Sequence, residues 1–279
     1  MNFPIYETEA RGILSKTTGF IQAAGFTHSL TPARNCTFGC SYCYVPTMGI
    51  YGGLKPDDVK KWGQFTTYKS NAAALLAKAL KPDQRIYCSP VVDPYQPTEE
   101  QQQMMPRILD ALIRKPPRVF TIQTRGTLIL RDIDPIRELA TRTRVNVSFS
   151  VTTDDNEIIR VYENRCAKFE ERLSVLEALT AAGINTFATI APMLPCNPRR
   201  LVEGVVKVTT GPIICDPFHV RETKSNGATT RDAARAIANH HGHQQWFEPA
   251  FHQRIIDEMK SIAPRPFEVG PKAFAWLAI

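Results

Sequence analysis

The sequence predicts an α/β fold, an incomplete (β/α)6 TIM-like barrel with a small C-terminal helical extension. Three observations lead there. Short apolar runs alternate with amphipathic helical patterns from residue 85 to residue 215, the signature of a parallel sheet backed by helices. Five or six such units are present, too few to close an eight-fold barrel. Polar residues recur just after successive strand candidates, where the loops of a barrel converge.

Taken in order, residues 1–24 form an N-terminal segment without chemical signature, 25–217 the partial barrel, and 218–279 the extension. The first strand is expected at 26–30. After a cysteine-rich loop at 35–44, residues 48–62 are rich in Gly, Pro and Asp and read as a long surface connection. An Ala/Leu-rich helix follows at 71–80. Strands at 85–92, 118–124, 144–151, 184–190 and 212–215 then alternate with helices at 99–114, 132–142, 169–182 and 198–208, with Gly183 closing the third of these. Beyond 218 the pattern changes to a polar stretch over 221–230 and helices over 231–240 and 249–261, the latter with Phe251, Ile255, Ile256 and Met259 on one side. The run His240-His241-Gly242-His243 has the composition of a metal site. No carboxylate or cysteine is spaced to complete one, so it reads as a solvated helix end.

Composition narrows the function classes. A 43% hydrophobic content is ample for a core, and a net charge of +7 favours polyanionic partners without requiring one. The first ten residues lack the basic start and apolar run of a secretory signal, and no stretch approaches a membrane span. A cytoplasmic protein without a membrane partner is therefore expected. The cysteine count is odd, and Cys88, Cys166, Cys196 and Cys215 have no local pair, which argues against a disulfide framework. Those four read as small buried residues.

Cys36, Cys40 and Cys43 carry the chemistry. A closed zinc site takes four protein ligands, usually as two separated pairs, and no second pair follows. Three thiolates suit a cubane iron-sulfur cluster with one iron left open. The competing structural reading is one face of a buried helix, since the spacing is i, i+4, i+7. Gly39, Pro46 and the lack of an apolar stripe oppose it. The strand-end candidates are Asp93, Thr124 with Arg125, Ser150 with Thr152 and Thr153, and Pro192-Met193. Each alone is an ordinary turn or cap residue; their recurrence makes them a set.

The cysteine spacing, with Tyr42 before the last cysteine and a barrel-like alternation behind it, resembles the radical S-adenosylmethionine superfamily. Within it the chain is similar to the spore photoproduct lyase-like branch, also termed DNA repair photolyase-like. The matching stretches are 25–44, Val92-Asp93-Pro94-Tyr95-Gln96-Pro97, Arg131-Asp132-Ile133-Asp134, 147–153 and 182–195, and the likeness covers 7–217. It implies a 4Fe-4S cluster on Cys36, Cys40 and Cys43 and an open iron chelated by the amino and carboxylate groups of S-adenosylmethionine. It also implies reductive cleavage to a 5'-deoxyadenosyl radical and an electron donor such as flavodoxin or ferredoxin.

Arg125 stands where lyase relatives carry a lysine and would pair with the cofactor carboxylate, with Thr124 beside it in the cofactor-binding set. Ser150 and Thr152 fit the ribose contacts, the backbone of Ala191 and Met193 the adenine contacts, and Tyr42 lies against the adenine side. The superfamily's Gly-Gly-Glu stretch is absent, and Asp93 substitutes for it as the amino-group contact. Tyr42 and Tyr44 match the tyrosines that flank the last cluster cysteine in the lyases. The hydrogen-donating cysteine of those enzymes falls at Pro90 here. Cys88 lies two residues earlier on the same strand face, about 7 Å away at the usual rise, and reads equally as a catalytic thiol or a buried strand residue.

Two basic stretches bear on partners. Arg107, Arg114, Lys115, Arg118, Arg125, Arg131, Arg137, Arg142 and Arg144 give a local positive excess, and Lys55, Lys60, Lys61 and Lys69 interleave with Trp62 and Tyr68. Both are solvated faces by default and phosphate-binding surfaces if the substrate is DNA or another nucleic acid. Three readings follow: a radical enzyme acting on a nucleic-acid base, one acting on a peptide or small metabolite, and a noncatalytic metal-binding module folded around zinc.

Overall fold

The computed structural model describes residues 2–52, 56–220, 222 and 229–279. Its main sheet has eight strands: β1 (Leu14–Lys16), β2 (His28–Leu30), β3 (Arg85–Cys88), β4 (Val119–Thr124), β5 (Arg144–Ser150), β6 (Asn185–Ile190), β7 (Ile213–Cys215) and β8 (Phe267–Val269). They lie side by side in chain order, and every pairing is parallel except β1 with β2. Since the order never reverses, each crossover steps to the next position. The handedness of such crossovers then sends the helices to one face, unlike a doubly wound sheet. Those helices are α1 (Ala72–Ala79), α2 (Met104–Arg114), α3 (Ile133–Ala140), α4 (Phe169–Ala181) and α5 (Pro198–Val208). They pack α1 on α2, α2 on α3, and α4 on α5.

The two faces of the sheet are built differently. Ile86, Cys88, Phe120, Ile122, Val145 and Val147 alternate toward the helices and join their apolar side chains in the main core. The other set faces inward. There Tyr87, Phe187 and Ile214 pack against Phe26, Phe274, Leu277 and Ala278, so a C-terminal turn fills the N-terminal half of the inner face. Thr121 Oγ1 and Asn146 Nδ2 fasten it by donating to the Leu277 carbonyl at 2.6 and 2.8 Å. Toward the strands' C-terminal ends the inner face turns polar. Gln123 Oε1 accepts from Tyr87 and Ser148, and Gln123 Nε2 donates to Ser150 Oγ at 3.0 Å. One end is thus closed and apolar, and the polar end lies toward the cysteine loop.

Several elements differ from expectation. The helix expected at 99–114 breaks at Gln103, which has φ 49°; the buried Glu99 carboxylate accepts from Met105 N at 2.7 Å and pairs with Arg131, capping a new helix there. The strand expected at 85–92 stops at Cys88. Residues 1–24 supply β1 and the strand Ile5–Thr8, which pairs parallel with Thr66–Lys69; that strand in turn pairs with Ala33–Arg34, just before the cysteines. Asn156–Tyr162 is an additional helix, capped by Asp155. Beyond 218, α6 (Asp232–His241) and α7 (Pro249–Ile262) follow the expected helices, with α7 packed on α5. The segment is not a separate body, since β8 extends the main sheet beside β7. No described helix is long and apolar enough to cross a membrane.

Asn146 is fully buried and ties the C-terminal turn to the sheet. Asn146→Ala is expected to lower unfolding stability by about 1–3 kcal/mol, read as a fall in urea midpoint at unchanged denaturant slope.

Candidate cluster and cofactor site

The cysteine loop is built by backbone turns and by buried amides. Asn35, at φ 60°, accepts from Cys36 N and Gly63 N through Oδ1, both at 2.9 Å. Gln96 Oε1 accepts from Thr37 N at 2.7 Å, Thr37 Oγ1 and Thr66 Oγ1, so the loop after β3 grips the start of the cysteine loop. Turns closed by Gly39 N to Cys36 O and Cys43 N to Cys40 O set the three cysteines. Gly39 has φ 62° and sits against Gly63, where a Cβ would come within 3.2 Å of the Gly63 Cα and 3.0 Å of Arg165 Nη1. Only glycine meets both demands.

Cys36 and Cys40 are buried and Cys43 is half-buried. Burial pushes the Cys36 thiol up, and the Cys43 thiol up to about 12. Cys40 goes the other way, because the Cys166 thiol hydrogen-bonds to it despite the opposing effect of burial. Among the described residues no three His, Cys, Asp or Glu side chains converge on one ion-sized point. Three soft donors on one loop suit a polynuclear iron-sulfur cluster, in which each cysteine takes its own iron.

Behind the loop lies a buried carboxylate. Glu163 Oε1 accepts from Tyr42 OH and from Arg125 Nη1; Oε2 accepts from Arg172 Nη2 and, at 3.0 Å, from Thr152 Oγ1. Burial opposes its charge, but Arg172 and Arg125, with Tyr42, hold the Glu163 carboxyl down at about 2. The segment that carries it wraps the loop: Tyr162 O accepts from Ser41 N and Oγ, and Arg165 Nη1 donates to Thr37 O at 3.0 Å.

The remaining strand-end residues converge on this place in part. Asp93 accepts from Tyr95 N and Thr124 Oγ1 on Oδ1 and from Arg125 N on Oδ2, which clips the β3 loop to the end of β4; burial raises its carboxyl pKa. Ser150 and Thr152 are buried at the end of β5. Met193 N is engaged by Asp216 O at 2.9 Å, and Ala191 packs at the edge of the inner apolar cluster. Tyr44 OH donates to Pro90 O. Cys88 is a different case. Its side chain is fully buried on the helix side of β3, among the α-helical core residues, and does not face the inner surface that Tyr87 and Ser150 share.

One expectation about other surfaces is corrected, and two default readings stand. Trp62 and Tyr68 are buried, and Lys69 Nζ donates to Thr31 O, so they form no exposed base-stacking platform; Lys55 lies outside the described residues. In the arginine-rich stretch, Arg114, Arg131, Arg137 and Arg142 pair with neighbouring carboxylates, and Arg125 pairs with Glu163. Arg118 and Arg144 instead line a shallow groove with Arg85, on the strands' N-terminal side and away from the cysteines. His240 and His241 close α6 at the left-handed Gly242.

Sequence reasoning passed over Gln96, Glu163, Arg165 and Arg172. Arg172 had a signal: with Phe169, Leu176 and Leu179 it occupies the buried stripe of α4, and a charge at a core position needs a partner. Glu163 had none, since its partners are remote in sequence.

The family model of the Radical SAM superfamily matches residues 30–206, which hold the three cysteines, Arg125, Glu163 and Met193. The chain belongs to the radical SAM superfamily. An uncharacterized protein of Mycobacterium tuberculosis is 30% identical over 177 residues, 62% of this chain and 51% of that protein. One of Methanocaldococcus jannaschii is 27% identical over 161 residues, 57% and 58% of the two chains. The chain spans about half the length of these curated relatives. Among solved structures, spore photoproduct lyase complexed with dinucleoside spore photoproduct aligns at TM-score 0.64 and 12% identity, covering 95% of this chain and 81% of that one. A mutant of that lyase with bound AdoMet and dinucleoside spore photoproduct gives the same values. At this identity the likeness is one of fold: an α/β architecture with a mostly parallel sheet, as in radical SAM partial barrels.

Two outcomes are expected. Gly39→Ala is expected to bind markedly less iron and sulfide per chain after anaerobic reconstitution than wild type. Glu163 has a folded pKa near 2, below its ordinary 4.5. Its contribution to stability is therefore complete above pH 4.5 and lost as pH falls toward 2. The urea-midpoint gap between wild type and Glu163→Gln should narrow across that window.

Proposed function

We propose that the chain is a radical SAM enzyme that holds a 4Fe-4S cluster on Cys36, Cys40 and Cys43 and acts on a nucleic-acid base, in lesion repair or modification. The observation that carries this is the meeting of the three-thiol loop with the end of β4, where Arg125 reaches Tyr42, between two cluster cysteines, and Asp93 holds the Arg125 amide. When bound, the cluster and S-adenosylmethionine supply reductive cleavage of the sulfonium to methionine and a 5'-deoxyadenosyl radical.

The chain's residues bind and orient. Arg125 uses Nη1 for Tyr42 and Glu163, and no other described residue takes its Nε and Nη2 edge, which suits a carboxylate bidentately. Asp93 has three donors on its carboxylate and one acceptor position left for an ammonium group. A cation and an anion on residues joined by a hydrogen bond complement the zwitterionic end of the cofactor. Ser150 Oγ, held by Gln123, offers its proton to a ribose hydroxyl. Since Met193 N is taken by Asp216, adenine contacts fall to the other backbone groups of Ala191-Pro192-Met193. Residue 90, the lyase donor position, is a proline whose carbonyl accepts from Tyr44 OH, so the hydrogen returned to product does not come from a thiol there. In this reading the six β/α units begin at β2 through β7, and 218–279 is the extension that completes the inner face.

The nucleic-acid substrate is supported by the fold shared with spore photoproduct lyase, solved with a dinucleoside lesion, and by the net charge of +7. The electron donor in this scheme is a flavodoxin or ferredoxin, in the cytoplasm. Reconstituted, reduced protein is expected to convert S-adenosylmethionine to 5'-deoxyadenosine, and Cys36→Ala, Cys40→Ala and Cys43→Ala each to abolish it; no turnover by cluster-loaded wild type refutes the enzyme. Ultraviolet-irradiated DNA should change that turnover or lose lesions. Unchanged turnover and intact lesions would turn the assignment toward a peptide or small metabolite.

A further inference from the structure

The buried ion network behind the cysteine loop contains one cation more than its acid requires, and its two arginines are satisfied to different degrees. Arg172 is fully buried and engaged through all three nitrogens: Nε donates to Ala167 O at 2.9 Å, Nη1 to Thr152 Oγ1 at 3.1 Å and Ser150 O at 3.4 Å, and Nη2 to Glu163. Arg125, whose side chain keeps 15% exposure, bonds only through Nη1 and its backbone amide; Nε and Nη2 have no partner among the described residues. All four acceptor positions of Glu163 are filled, two on each oxygen. A carboxylate saturated in this way fixes the direction of every donor around it.

We propose that Glu163 and Arg172 are positioning residues for the cofactor's carboxylate subsite. Glu163 holds one guanidinium nitrogen of Arg125 so that the opposite edge faces the ligand, and Arg172 neutralises Glu163 so that this hold does not cancel the charge of Arg125. The proposal rests on the reading above, in which Arg125 binds the carboxylate of S-adenosylmethionine. In a buried setting the two functions separate. Without Arg172, Glu163 and Arg125 form a closed pair of zero net charge, and the edge presented to the ligand carries little field. Without both Glu163 and Arg172, Arg125 keeps its full charge but loses its orientation. Thr152 and Tyr42 donate to Glu163 in either state of Arg172, so the carboxylate is not left bare by the single substitution.

The test compares cluster-loaded wild type with Arg172→Gln and with Glu163→Gln/Arg172→Gln, using S-adenosylmethionine and its decarboxylated analogue as ligands. Equilibrium dissociation constants are measured, together with the change each ligand makes in the electron paramagnetic resonance spectrum of the reduced cluster. The expected order of affinity for S-adenosylmethionine is wild type, then the double variant, then Arg172→Gln, with the first and last about tenfold or more apart, the scale of one charge-assisted hydrogen bond. The analogue, which has no carboxylate, should show the same affinity for all three. A purely structural role would weaken both ligands alike, and that result overturns the proposal, as does a double variant that binds S-adenosylmethionine more weakly than Arg172→Gln. If Arg172→Gln fails to load iron, the double variant carries the test: equal affinity to wild type for S-adenosylmethionine overturns it. Arg125→Gln separates the positioning role from cofactor binding itself. It should lose the preference for S-adenosylmethionine over the analogue; if it does not, or if wild type binds neither ligand, the cofactor reading itself is wrong and the proposal falls with it.

Discussion

A single buried carboxylate holds together the parts of this molecule that chemistry needs. Glu163 is fully shielded from water, and an isolated charge there would be costly. It is tolerated because four donors from four separate elements surround it: Tyr42 from the cysteine loop, Arg125 from the end of β4, Thr152 from beyond β5 and Arg172 from α4. Removing any one leaves the others with an imperfect partner in a low dielectric, so the four elements are fixed relative to one another by the need to satisfy one group. The position of the cysteine loop relative to the strand ends follows from this.

A second polar tie works on the other side of the loop. Gln96, buried in the segment that follows β3, takes Thr37 and Thr66 together, and Asn35 takes Cys36 and Gly63. These amides join the loop to the small sheet of Ile5–Thr8, Thr66–Lys69 and Ala33–Arg34. The loop is therefore held from both flanks by neutral amides on one side and by ions on the other. The sheet beneath it has the complementary gradient, apolar and plugged at one end by the C-terminal turn, polar at the other around Gln123 and Ser150. In the proposed radical reaction, a polar end on an apolar base would steer the radical and keep it from water.

The parallel sheet was legible because β3 to β7 are short apolar runs separated by long helical patterns, and the cysteine loop because three cysteines within eight residues are a local signal. Strand-end logic pointed to Thr124, Arg125, Ser150 and Thr152 at the ends of β4 and β5, whereas Asp93 lies on the loop beyond β3 and is placed by its bonds to Thr124 and Arg125. The small sheet, β1 and β8 escaped because their short runs mix polar and apolar residues and form no apolar block. The break at Gln103 escaped because its cause, Glu99 capping Met105 while paired with Arg131, is tertiary. Glu163 was invisible for the same reason: Tyr42 lies 121 positions before it and Arg125 38. Cys88 shows the limit of alternation arguments. The strand ends at Cys88, so alternation does not reach position 90, and only the packing of the helices says which face Cys88 takes.

The central claim is that the three-cysteine loop and Arg125 together bring the cofactor's amino-acid end against an iron-sulfur cluster. Electron-nuclear double resonance on the reduced, reconstituted protein, with S-adenosylmethionine isotopically labelled in its carboxylate oxygens, tests it most directly. The account predicts hyperfine coupling between the labelled carboxylate and the cluster. A cluster spectrum that is insensitive to the cofactor, with no coupling to the label, would contradict it.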